Sequence, residues 1–473
     1  MEISQDIKKR LFDELDSKKE EMVSLLSRLI AYPSVKGEPS EGAPFGLPVR
    51  SCLDEALSTL SSWGFATECH DGYVGTAELG EGETVLGVLA HLDVVAAGDG
   101  WTGDPFTARI ADGRVYGRGA IDDKGPAVAA MFALRAIKEL GIPIKSGARL
   151  ILGTDEENGS SDLAYYFKKQ SPPRYAFTPD GSYPVINIEK GMIRVSFSSE
   201  SQPCPGGRML LWLEGGTAVN AVPGSAYALV SGVGASEVIK SSQGLFPGVE
   251  ISCKEFEGGS LRIDARGVSA HASTPESGKN AITALLGVLS RLGLEDGGSK
   301  AASRLSSIFP YGESDGLSLG IKMSDRESGA LTEVLSLVSY QAGRLECSMD
   351  IRLPVSSSVG EVKSRLLPAI EGAGFKIDSF GGTEPHRVDE DGEFVKTLLE
   401  VYEEMTGEKG SCIAIGGGTY VHELEGGVAF GAEFIGEDNH MHSFDEFISI
   451  DRLVLNSKIF ALAILKVLNS GRL

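Results

Sequence analysis

Four times along the chain an apolar run breaks off into residues able to bind a cation, and this pattern restricts the fold more than any other feature. The first is TVLGVLAHLDVV, residues 84–95, with a nearly unbroken apolar start. Such a run marks a strand buried on both faces of an α/β sheet. His91 stands at its end and Asp93 two residues on. ARLILGTDEENG repeats the design, its strand 148–152 giving way to Asp155, Glu156 and Glu157. YAFTPDG leads to Asp180, and a strand near 427–434 is followed by His440 and His442.

Between the first two runs lies GRGAIDDKGP, a glycine-rich loop with two adjacent carboxylates that opens into a helix. Pro126 suits the first helical position and Gly141 a C-terminal stop. Alone, Asp122 reads equally well as a helix cap or as a ligand. Amphipathic spacing gives further helices over 5–31 and 50–63, and ARIADGRVYGRG reads as a hairpin turning at Asp112-Gly113. Strands alternating with helices imply a mixed, mostly parallel sheet, whose sites form beyond the strands' carboxyl ends. His91, Asp122, Glu156, Glu157, Asp180 and His442 are therefore expected to converge.

The texture changes between about 190 and 384. MIRVSFSS, RMLLWLEG, SLRIDARG and RLECSMDIRLPV alternate apolar and polar positions, as antiparallel strands with one wet face do. Amphipathic stretches follow Lys279 and Ser358. The expected organisation is an α/β domain, residues 1–189 plus 385–473, with an inserted α+β lid domain, residues 190–384. A chain of 473 residues has room for both. Its net charge of −22 argues against nucleic acid or an anionic membrane as partner. The cysteines (Cys52, Cys69, Cys204, Cys253, Cys347, Cys412) show no CxxC spacing, and no apolar run has membrane-spanning length, so the reading is a reduced cytoplasmic protein.

Two histidines with several carboxylates make a mixed nitrogen and oxygen ligand set, which suits zinc, manganese or cobalt better than calcium. Asp93 can accept the second N–H of His91 and fix its tautomer. Of the Glu156-Glu157 pair, one can bind metal while the other acts as base on a metal-bound water. A solvated acidic turn is the plainer reading of DEEN by itself.

HLDVV, GRGAIDDKGP, GTDEENGS, TPDG and HMHSFDE, in this order, resemble the motifs of a dinuclear metallopeptidase family. That family includes aminoacylases, acetylornithine and succinyl-diaminopimelate deacylases (the ArgE/DapE type), carnosinases and bacterial dipeptidases. GGTAVNAVP, ARGVSAHASTPE and IGGGTY are similar to its PepV-type dipeptidases. The resemblance implies two divalent metal ions, zinc first, bridged by Asp122. His91 and Asp180 would complete one metal site, Glu157 and His442 the other. Glu156 would be the general base and Asp93 the partner of His91, with a cis Asp122–Asp123 peptide. His442 fits the motif because Ser-Phe-Asp-Glu follows it, leaving His440 as a loop histidine. In the lid, His271 with Asn220 would stabilise the oxyanion and Arg352 would grip the substrate's carboxylate. Gly416-Gly417-Gly418 would let backbone approach the substrate. The implied activity is hydrolysis of dipeptides with a free amino end by a monomer. An N-acyl-amino-acid deacylase and a metal- or peptide-binding protein without catalysis are the alternatives.

Overall fold

The computed structural model describes residues 3–201 and 207–470, so Cys204 lies outside the described residues. The chain divides into two compact units. One comprises Met1–Ile188, Arg387–Ile413 and Gly418–Leu473; the other comprises Glu189–His386 with Ala414–Gly417. The second unit thus also takes a short segment from far beyond the stretch at 190–384.

The first unit is built on a mixed sheet. Its middle strands Gly147–Gly153, Thr84–His91, Tyr175–Thr178 and Gly427–Ala429 run parallel in that order. Val74–Leu79 and Ala66–His70 extend one side antiparallel. His91 pairs with Gly153, and Ala429 with Thr178, so neighbouring strands release their loops level with one another. The apolar character of residues 85–90 is explained by parallel neighbours on both sides. Helices Lys124–Glu139 and Ile450–Asn469 pack on each other and on the Thr84–His91 strand. Every residue from Lys124 to Leu134 is buried, so this helix has no wet face over its first turns.

Local differences from the sequence expectation have physical causes. Residues 5–31 form two helices, Gln5–Ser17 and Lys19–Ile30, because Lys18 turns out of helical geometry (φ −93°, ψ 5°). The helix expected at Pro126 begins at Lys124 with Asp123 as its cap residue. Pro126 is still tolerated, since the first four N–H groups lack intrahelical partners. The strand expected near 427–434 is confined to Gly427–Ala429. The hairpin turns at Asp112-Gly113, both with left-handed φ (50° and 70°).

The second unit carries an antiparallel sheet of eight strands. Their order is Glu250–Phe256, Ser260–Arg266, Ser225–Ser231, Met209–Gly215, Thr332–Gln341, Arg344–Leu353, Gly191–Glu200 and Lys376–Thr383. Helices Ala281–Leu289, Gly297–Ile308 and Val359–Gly372 pack on it around a separate core that includes Phe197, Ile263, Leu285, Leu305 and Leu366. Alternating burial along strands such as Gly191–Glu200 matches the alternation in the sequence. Among the described residues, no helix is long and apolar enough to cross a membrane.

Candidate metal centre

The strand ends of the first unit bring six side chains together. His91, the last residue of its strand and fully buried, turns Nε2 toward Asp122 Oδ1 at 3.0 Å and Asp180 Oδ2 at 3.6 Å. Asp122 Oδ2 lies 2.6 Å from His442 Nε2, which is 3.3 Å from Glu157 Oε1. One carboxylate therefore spans two imidazoles, an oxygen to each. Ligand atoms of His91, Asp122 and Glu157 all lie within 4.8 Å of one another, as do those of His91, Glu156 and Asp180. His440 stands apart: its Nδ1 is 3.2 Å from Phe444 O and its ring rests on Phe444 and Phe447.

Whether these residues suit a cation can be tested on their own bonding. His91 Nε2 and Glu157 Oε1 are buried without an aligned hydrogen bond, although buried polar atoms normally have one. Each has a lone pair to give, and both face the same small volume. The charge balance agrees. Burial and then the Asp122 charge push the Asp180 carboxyl up to about 7. Burial and Asp180 likewise raise Glu156. Asp122 and Glu157 push the half-exposed His442 up to about 11. Burial would raise Asp122, but the imidazoles of His442 and His91 outweigh it and hold the carboxyl below its usual range. Four carboxylates crowd two imidazoles, and divalent cations are a fitting counter-charge.

Residues that touch no ligand volume hold this geometry, chiefly through backbone N–H and carbonyl groups. Asp93 accepts the backbone N–H groups of Glu156 and Glu157 at 3.2 Å each, one per oxygen, and so fixes the short turn Glu156–Asn158. The nearer partner of His91 Nδ1 is the Asp93 backbone carbonyl at 3.0 Å; the carboxylate stands at 3.4 Å. That carbonyl, more than the carboxylate expected to do so, sets the tautomer with Nε2 unprotonated. Asp123 Oδ2 accepts the backbone N–H of His91 at 3.0 Å. Its peptide link to Asp122 is cis. Glu446, fully buried, accepts the N–H groups of Ile121 (3.0 Å) and Asp122 (3.2 Å) on one oxygen and pairs with Arg118 through the other.

The Tyr420 ring meets His91 edge-on at 6.0 Å, and its hydroxyl donates to Asp162. Asp162 in turn accepts the N–H groups of Thr154 (2.6 Å) and Asp155 (3.1 Å), just before Glu156. Gly153 is required here, since a Cβ would come within 2.0 Å of the Tyr420 hydroxyl. Lys124 turns inward and donates to the carbonyls of Leu29 (3.0 Å) and Tyr32 (2.9 Å) at a helix end.

In the second unit, Asn220 precedes the ribbon Ala221–Val222, which pairs with Ala270–His271. Both Asn220 and His271 are exposed. His271 Nδ1 accepts the backbone N–H of Ser273 at 3.3 Å, which leaves the proton of the neutral ring on Nε2. Arg352 is held within its own unit by three hydrogen bonds. Nε and Nη2 donate to Asp350 at 2.6 and 3.1 Å, and Nη1 donates to Gly416 O at 2.8 Å. Two of its five N–H donors remain, one on each Nη. The close approach at Gly416 is to the chain itself, for a Cβ would stand 2.3 Å from Ser273 Cβ.

Comparison with known proteins follows the same lines. The sequence model of Peptidase family M20/M25/M40 matches residues 87–466. YtjP of Bacillus subtilis (strain 168), provisionally named a dipeptidase, is 36% identical over 457 residues, covering 95% of this chain and 98% of that protein. The Beta-Ala-Xaa dipeptidase of Lactobacillus delbrueckii subsp. lactis is 34% identical over 459 residues, covering 96% and 97%. Among solved structures, human carnosine dipeptidase 1 has the same fold with a TM-score of 0.60 at 17% identity, covering 98% of this chain and 99% of that one.

Proposed function

We propose a function from one premise: the chain belongs to peptidase family M20/M25/M40. It hydrolyses dipeptides with a free amino end. The observation that carries this reading is the bidirectional Asp122 carboxylate, 3.0 Å from His91 and 2.6 Å from His442, with Glu156 grouped with His91 and Asp180. His91, Asp122, Glu157, Asp180 and His442 would hold two divalent cations, zinc foremost, with manganese or cobalt as substitutes. Bound there, the cations would polarise the scissile carbonyl and bring the pKa of water near neutrality.

The chain's own groups do the rest. Glu156 accepts the proton of the attacking water and passes it to the leaving amine. Burial and the Asp180 charge raise its pKa above the usual carboxylate range, the direction that strengthens a general base. His271, with its proton on Nε2, donates to the developing oxyanion, assisted by Asn220. The two spare N–H groups of Arg352 bind the substrate's terminal carboxylate while Asp350 holds the guanidinium still. Asp93 keeps Glu156 and Glu157 in register by holding both of their backbone N–H groups.

The names of the Bacillus and Lactobacillus relatives support a dipeptide substrate. The reading includes a monomer acting in the cytoplasm. Purified protein supplied with zinc, manganese or cobalt should cleave members of a dipeptide panel and leave N-acetyl amino acids intact. Cleavage of the acetylated set alone would make it an amino-acid deacylase using the same groups. No cleavage of either set would leave a binding protein.

A further inference from the structure

We propose that the second unit contains a further ligand site, a cavity that takes a small organic cation: a primary ammonium or guanidinium on a short apolar stem. The cavity, of about 350 Å³, is lined by the start of helix Ala281–Leu289, the loop around 311–314 and strand Thr332–Gln341. Its volume falls at the lower end of small-molecule sites.

The observation that points to a ligand is Glu333. Its backbone N–H is satisfied by Ser314 O at 2.8 Å, and the residue is only 3% exposed. Yet Glu333 lines the cavity, and among the described residues nothing donates a hydrogen bond to its carboxylate and no cationic side chain pairs with it. A buried carboxylate left that way is costly. The other acids around the cavity do not share its position. Glu313 is taken up by the Ser318 N–H and hydroxyl at 2.6 and 2.9 Å, and Glu276 is exposed. Lys279 is the one cation of the lining. Its stem lies along Gly248, and it forms no ion pair with Glu333 among the described residues.

The rest of the wall selects the kind of cation. Hard metal ions want six or more oxygen ligands, and one unclaimed carboxylate among Val222, Pro247, Pro275 and Val334 does not supply them. Tyr311 adds an aromatic face, held by its hydroxyl on Pro247 O (2.7 Å) and by packing on Phe246. A carboxylate, an aromatic ring and short apolar side chains are the components that recognise an alkylammonium or guanidinium.

The test uses the full-length chain, with n-butylammonium and agmatine as probes at constant ionic strength and 1-pentanol and sodium chloride as controls. Calorimetric titration should show saturable binding of the two amines only. Glu333→Gln, which keeps the shape and removes the charge, should weaken it about tenfold or more. Ser314→Phe, which fills the cavity from its loop and leaves the carboxylate in place, should abolish it. The second variant decides the matter if the first does not fold. Absence of saturable binding, or amine binding that both variants keep at wild-type strength, overturns the proposal.

Discussion

Two of the protein's buried groups of charges stand on opposite terms. In the second unit, Arg352 and Asp350 are 4% and 0% exposed, and they cancel one another through two hydrogen bonds. In the first unit, Asp122, Glu156, Glu157 and Asp180 gather round His91 and His442 with an excess of negative charge. A balanced buried pair can persist on its own hydrogen bonds, whereas a buried excess needs a counter-charge from outside the chain. The same chemistry, a carboxylate facing a cationic side chain, therefore reads as positioning in one unit and as a cation site in the other.

The contrast is strained hardest at Glu156. Replacing it by Ala should lower kcat by roughly 10²–10⁴-fold, the usual contribution of a general base, while metal content stays at the wild-type level. Steady-state kinetics paired with elemental analysis checks this. Because Glu156 also falls within a ligand set with His91 and Asp180, loss of metal together with activity would move it from base to ligand.

The balanced pair gives the next largest effect. Arg352→Met would leave the Asp350 carboxylate buried and largely uncompensated, at a cost of about 3–5 kcal/mol. Arg194, 3.3 Å from Asp350 Oδ2, should hold the loss toward the lower figure. Urea denaturation of the single variant and of Arg352→Met with Asp350→Leu measures it, and the double variant should recover most of the loss. A single variant within about 1 kcal/mol of wild type would mean that the pair is not sealed as the comparison requires.

How far these arrangements were legible in the sequence depends on what each residue bonds to. The apolar runs ending at His91, Glu156 and Asp180 were readable because burial on two faces excludes polar residues until the strand stops. The period-two alternation of the second unit was readable for the complementary reason, one wet face. His442 was separable from His440 only through the motif around it. The supporting roles of Glu446, Asp123, Asp162, Tyr420 and Arg118 went unread, although all but Asp162 stand inside the quoted motifs. The three acids among them act mainly by accepting backbone N–H groups, in the case of Glu446 those of Ile121 and Asp122, more than 300 residues away. Every residue but proline has a backbone N–H, so the partner itself leaves no pattern. The break at Lys18 was hidden too, since neither glycine nor proline marks it.

Glu446 turns that omission into a prediction. Glu446→Gln keeps the size and removes the charge that Arg118 and two N–H groups share. Loosening the loop that presents Asp122 should weaken metal binding by about 10–100-fold, the range seen when groups supporting metal ligands are altered. Titration with a competing chelator reads it directly, and excess metal should restore most of the activity. If metal affinity is unchanged, the Asp122 loop is held without Glu446.

The smallest effect tests Glu333, a buried acid of the second unit to whose carboxylate, among the described residues, neither an N–H group nor a cationic side chain is bound. Burial raises its pKa well above the ordinary value, with Glu313 and Asp315 adding repulsion. A carboxyl whose folded pKa exceeds its unfolded value binds more protons in the folded state, so stability falls as pH rises. Its contribution is fully present below the unfolded pKa of about 4.5 and is lost as pH climbs through the raised folded value. Glu333→Gln has no such loss. Its Tm relative to wild type should therefore climb between pH 5 and pH 8, without added amines, by a few degrees at most. Scanning calorimetry of both proteins across that range supplies the comparison. Parallel curves would mean that the Glu333 carboxylate is as well compensated as Asp350, and the charge excess would then belong to the first unit alone.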